Sequence, residues 1–93
     1  MTDKILTLHP DGMQGVNIDR QKYEWMKAAI LETLTEEGPT PFKELGDRVS
    51  KRLPAEWEGS LMWYLTTVKL DLEARKLIRR APGVKPQVVE III

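Results

Sequence analysis

The sequence predicts an α+β fold, mainly α, in which three helices are followed by a C-terminal β-hairpin and preceded by a short strand. Two observations carry this. Three segments place apolar residues three and four positions apart, which lines them up on one helical face, and each begins or ends on a residue that caps helices. The chain then closes on Val88-Val89-Glu90-Ile91-Ile92-Ile93, a run rich in β-branched residues after a turn bearing Pro and Gly. At 93 residues the chain makes one domain. It divides into an arm over 1–18, three helices over 19–76 and a hairpin over 77–93. The helices bury their apolar stripes against one another, and the hairpin covers the open end.

In order, Lys4 to Leu8 reads as a short strand, with Ile5, Leu6 and Leu8 compatible with β structure. His9-Pro10-Asp11-Gly12-Met13-Gln14-Gly15 is turn-rich, and Val16, Asn17 and Ile18 lead out of it. Asp19 can cap the first helix, because its carboxylate accepts orphan backbone N–H groups. Tyr23, Met26, Ile30 and Leu34 form that helix's stripe, flanked by Trp25 and Ala29. Gly38 stops it and Pro39 cannot continue it.

Thr40 is placed to cap the second helix, with Pro41 at its first position, where a missing N–H costs nothing. Phe42, Leu45, Val49 and Leu53 form its stripe, and Pro54 ends it. Ala55 to Gly59 is a link with Trp57 tucked beneath it. Ser60 caps a third helix that runs to about Lys76. Leu61, Leu65, Val68 and Leu72 share one face; Trp63, Leu70 and Ala74 lie nearly opposite. Leu77 to Arg80 and Gln87 to Ile93 are the hairpin strands, joined by the turn Ala81 to Pro86.

Composition narrows the function. Net charge is zero, which argues against a strongly electrostatic nucleic-acid binder. The distribution is uneven: residues 1–40 carry 4 basic and 7 acidic groups, and residues 69–93 carry 6 basic and 3 acidic. No cysteine is present, so disulfides and thiolate metal sites are excluded. No run approaches the ~18 apolar residues of a membrane span. The segment before His9 and Pro10 is too short for the apolar core of a signal peptide. The expectation is a cytoplasmic protein without membrane contact, metal or cofactor.

The order of elements, with the tight approach Gly38-Pro39-Thr40-Pro41-Phe42 to the second helix, resembles the winged helix-turn-helix family. The most specific stretch is Val68-Lys69-Leu70-Asp71-Leu72-Glu73-Ala74-Arg75-Lys76-Leu77-Ile78-Arg79-Arg80. It is similar to that family's junction of recognition helix and wing, where Leu-Glu-x-x-Gly is followed by an apolar pair and basic residues. There the helix must stop, the chain must reverse, and Leu77 and Ile78 must drop into the core. The stretches Thr40–Leu45 and Trp63–Leu77 also resemble the amino-terminal domain of Mrr-type restriction proteins. The whole chain resembles a small family of uncharacterised bacterial winged-helix proteins. The resemblance covers about residues 19–93 and implies a fold, not an activity. Two positions depart from it. Lys76 stands where the family has Gly, so a left-handed backbone there carries strain, and the link Leu53–Gly59 exceeds the roughly three- or four-residue turn of a simple helix-turn-helix.

Nothing in the sequence assembles catalysis. His9 is the single histidine and sits in a turn, while Glu36-Glu37 and Glu56/Glu58 read as solvated helix ends and loops. The expectation is a binding domain that is not an enzyme. Two readings stand side by side. In the first the partner is double-stranded DNA: Ser60, Thr66, Thr67 and Lys69 face the major groove, and Arg75, Lys76, Arg79, Arg80 and Lys85 meet phosphates, assisted by Lys43 and Lys51. In the second the partner is a protein, most simply a homodimer, held by the outer face Trp63, Leu70 and Ala74 with Thr66 and Thr67, because a helix that reads bases presents polar groups instead. Residues 4–18 folding back would turn that face into core, and Trp25 is open in the same way. A basic wing that holds an acidic protein is a further option.

Overall fold

Caps and apolar stripes build the helical part directly. The computed structural model describes residues 3–92. Helix α1, Arg20–Glu37, begins where Asp19 Oδ2 accepts the Lys22 N–H at 3.0 Å. It stops at Gly38, whose φ of 78° suits glycine and whose N–H donates to the Leu34 carbonyl at 3.0 Å. Helix α2 spans Phe42–Ser50 and α3 spans Leu61–Ala74. Ser60 Oγ caps α3 by accepting the Trp63 N–H at 3.2 Å.

The three helices meet on their predicted stripes. Tyr23, Met26, Ile30 and Leu34 of α1 pack with Leu45 and Val49 of α2 and with Leu65, Val68 and Leu72 of α3. Each of these is at most 3% exposed, and burying such a side chain contributes about 1.5–3 kcal/mol.

The end of α3 shows why Lys76 can stand at a glycine position. Lys76 adopts φ 65° and donates to the Glu73 carbonyl at 3.1 Å, and Leu77 donates to the Leu72 carbonyl at 3.0 Å. This pair of bonds is the Schellman closure of a helix, which asks for a left-handed residue at that point. The chain then enters β4, Ile78–Arg80, and returns as β5, Val88–Ile91. Register pairs Ile78 with Ile91, Arg79 with Glu90 and Arg80 with Val89. Ile78 is buried, but Leu77, expected in the core, is 37% exposed. Only one of two successive residues entering a strand can face inward.

A third strand joins this sheet. Thr40–Pro41 form β3, antiparallel to β5, with Thr40 opposite Val89 and Pro41 opposite Val88. Thr40 therefore does not cap α2: its hydroxyl donates to the Gly38 carbonyl at 2.9 Å, and no side chain caps that helix. Pro41 lies on an edge strand, where its missing N–H costs no ladder bond. The second helix also ends earlier than its apolar spacing predicts. Leu53 lies beyond α2, still packed against the core.

The arm is a hairpin rather than a single strand. β1, Lys4–Leu6, pairs antiparallel with β2, Asn17–Asp19. Thr7 is buried, its N–H donates to the Val16 carbonyl at 2.9 Å, and its hydroxyl accepts the Val16 N–H at 3.0 Å. A Cβ at Gly15 would lie 1.7 Å from the Thr7 carbonyl oxygen, so only glycine lets the strands close there. The result is a mainly helical α+β structure with one two-stranded and one three-stranded antiparallel sheet among the described residues. No described helix is long and apolar enough to cross a membrane.

Candidate functional site

The residues expected to face a partner separate into three groups. The first is the open face of α3. Trp63 is 47% exposed and its neighbour Met62 49%. Thr66 is exposed, and Thr67, Leu70 and Ala74 are half-buried. The arm does fold back, but it reaches α3 near its other end, where the Leu8 N–H donates to Asp71 Oδ1 at 2.8 Å. Trp63 is left uncovered. Trp25 of α1 is half-buried.

Aromatic packing holds this face in place. The Tyr64 ring stands between two indoles, edge-on to Trp63 at 4.9 Å and to Trp57 at 5.2 Å between centroids. Such edge-to-face pairs each contribute about 0.5–1.5 kcal/mol beyond the area they bury. Met62 lies across α2, since a Cβ at Gly46 would come within 3.1 Å of its sulfur.

The second group is cations already paired with acidic groups of the same chain, Lys69 in the interior and Arg75 and Arg79 at the surface. Lys69, expected to face the groove, is buried. Its Nζ lies 3.2 Å from Glu73 Oε1 and 5.2 Å from the centroid of the Phe42 ring. The helix turns this lysine toward α2, and its outer face is left without a basic residue. Arg75, expected on phosphate, places Nε 2.8 Å from Asp71 Oδ2, and Arg79 places Nε 2.6 Å from Glu90 Oε2. The hydrogen bond to Asp71 holds the Arg75 guanidinium still more firmly protonated.

The third group is free. Lys43, Lys51, Lys76, Arg80 and Lys85 are exposed, and none has an acidic partner among the described residues. Ser60 is exposed and occupied as a cap.

Sequence reasoning missed the most tightly held polar cluster. Asp71 is fully buried, and its carboxylate accepts from the Tyr23 hydroxyl, the Leu8 N–H and Arg75 Nε. Burial, and then the hydrogen bond to Asp71, push the Tyr23 phenol well above its ordinary value of 10.0. One carboxylate thus ties the arm, α1 and the end of α3 together. Two signals pointed to it: a basic residue four positions after Asp71, and a tyrosine on the α1 stripe whose hydroxyl needs a partner.

His9 Nδ1 accepts the Asp11 N–H at 3.1 Å within its own turn. A groove of about 610 Å³ opens between the end of α1 and β5, walled by Leu34, Pro39, Ile91 and Ile92 with the Arg79–Glu90 pair at one side. Among the described residues no three His, Cys, Asp or Glu side chains gather where they could hold a metal ion.

These features define a mainly helical α+β protein with an open aromatic face on its third helix. The chain belongs to a family of unknown function (DUF6958), whose model matches residues 4–89. No curated protein and no solved structure matches it.

Proposed function

We propose that this protein is a winged-helix domain that acts by binding, and that the outward face of α3 is its contact surface for another protein, a second copy being the simplest partner. The winged-helix reading is supported by the order of elements: a helix, a strand that joins the later hairpin's sheet, two more helices, then the hairpin. One observation carries the choice of partner. Trp63 and Met62 are half exposed on α3, while the helix's single basic residue, Lys69, is buried against Glu73 and Phe42. A helix that reads base edges needs polar and cationic groups on its outer face. A half-exposed tryptophan beside a methionine suits a protein contact, where such residues are enriched.

Double-stranded DNA is a second reading, favoured by the free cations Lys76, Arg80 and Lys85 near the hairpin. These would meet phosphates, which position a protein without reading sequence. The two readings separate on a titration of a fluorescently labelled random duplex, followed by anisotropy, with wild type and with Trp63→Ala. We expect Trp63→Ala to leave any duplex affinity within about twofold, a difference of roughly 0.4 kcal/mol. Duplex binding that collapses with Trp63→Ala would place DNA on α3 and overturn the protein-contact reading.

A further inference from the structure

We infer that the open face of α3 docks a second copy of this chain through that copy's cationic corner between α3 and β4, so that copies join head to tail. The inference rests on the reading of the face as a protein contact and names what covers it.

Charge complementarity between two surfaces of the one chain carries it. Between Arg52 and Lys69 the sequence holds Glu56 and Glu58 and no basic residue. Both glutamates are exposed, and neither has a cationic partner among the described residues. They flank Trp57, whose ring packs on Tyr64, and Tyr64 packs in turn on Trp63. Two exposed carboxylates therefore flank the residue through which this loop packs on the aromatic cluster of α3. One ammonium is already drawn to this cluster from within the molecule: Lys22 Nζ of α1 lies 5.5 Å from the Tyr64 ring centroid.

The complement lies past the other end of α3. Leu77, 37% exposed, follows Lys76 and shortly precedes Arg80. Both cations are exposed and unpaired among the described residues. The left-handed turn at Lys76 brings the chain off the helix at this corner. β4 is an outer strand of its sheet, in the order β3-β5-β4, so one edge is left uncovered by any other strand of that sheet. An apolar side chain among cations thus answers an apolar pair beside carboxylates. The two surfaces stand at opposite ends of a 14-residue helix, a rise of about 21 Å at 1.5 Å per residue, so they cannot meet within one molecule.

Because the two patches differ, the contact joins unlike surfaces. Held by a single contact, each copy keeps one patch free and association closes into a ring or continues, whereas a twofold pair with antiparallel α3 helices engages both contacts at once.

The test is sedimentation velocity on the full chain across a dilution series. Salt is set at about 0.1 M and about 1 M, between which the screening length falls from about 10 Å to about 3 Å. The expected result is an average mass that rises with concentration at low salt and returns to that of one chain at high salt. Arg80→Glu alone weakens association about tenfold, since it replaces one exposed attraction by a repulsion. Trp63→Ala and the double variant Lys76→Glu with Arg80→Glu each abolish it. Circular dichroism checks that each is folded, and Arg80→Glu replaces the double variant if that one is not. An equal mixture of the two deficient variants restores association but stops at a heterodimer, because one supplies an intact corner and the other an intact aromatic face. A wild type that stays single at every concentration overturns the inference, as does association indifferent to salt or a mixture that never associates. In the first of these cases the protein-contact reading of α3 stands or falls separately, on the labelled-duplex comparison.

Discussion

Lys69 and Asp71 stand two positions apart on α3, and both are buried. Neither inward turn follows from the apolar stripe itself. A helical stripe is read from its apolar members, and these two charges sit at its edges, beside Val68 and Leu72. What the sequence did show was the strain at Lys76, because a left-handed residue is demanded by the helix's closure and not by distant contacts. Lys76→Gly is therefore expected to stabilise the fold by about 1 kcal/mol, read as a higher denaturation midpoint. A lower midpoint would mean that the lysine side chain does more for the native state than its backbone costs. The buried Tyr23–Asp71 contact has a pH signature. The folded-state phenol titrates above its ordinary value of 10.0, so the folded chain holds its proton more tightly than the unfolded chain. The resulting stability is fully present below pH 10 and is lost as pH rises beyond it, because the unfolded state ionises first. Tyr23→Phe is expected to cost about 1–3 kcal/mol at neutral pH by leaving Asp71 short of a donor and to flatten the alkaline loss. Urea unfolding across pH 8 to 11 measures both, and an unchanged alkaline slope in Tyr23→Phe would contradict the assignment.

Elements were legible where their signals are local. Asp19, Gly38 and Ser60 mark real helix ends because a cap acts on backbone groups within one turn of itself. β3 was not legible. Its two residues become a strand only by pairing with Val88 and Val89 at the far end of the chain, and the Thr-Pro pair that forms it also imitates a helix start. The arm's second strand was missed for the same reason, since β2 is defined by its register with β1. The double-sided character of α3 was legible, and the structure separates its two faces by burial. Leu65 is fully buried and Trp63 is 47% exposed. Leu65→Ala is expected to cost about 2–5 kcal/mol, as core truncations do. Trp63→Ala should cost about 1 kcal/mol, mainly through its lost packing on Tyr64. Chemical denaturation of the two variants makes the comparison. A Trp63→Ala cost as large as that of Leu65→Ala would make Trp63 a core residue and leave no open face to bind with.

At the scale of the whole molecule, the uneven charge distribution read from the sequence takes on a geometry. The C-terminal quarter is the basic part of the chain, yet Lys69, Arg75 and Arg79 are engaged internally, so its outward charge comes from Lys76, Arg80 and Lys85. The aromatic face lies in a stretch that carries Glu56 and Glu58 and no basic residue of its own, with Lys22 of α1 drawn in over the Tyr64 ring. Where that face would lie depended on how far the arm folds back, a long-range contact with no local signal; the arm stops at Asp71. The most direct test of α3 as a protein contact is hydroxyl-radical footprinting of Trp63 and Met62. Oxidation is measured by mass spectrometry in dilute purified protein and in the concentrated cell extract, before and after nuclease digestion. If α3 binds protein, both residues are oxidised readily in dilute solution and are protected in the extract, and the protection survives the nuclease. Protection that disappears with the nuclease would assign the face to nucleic acid, and equal oxidation in all three samples would leave it without a partner.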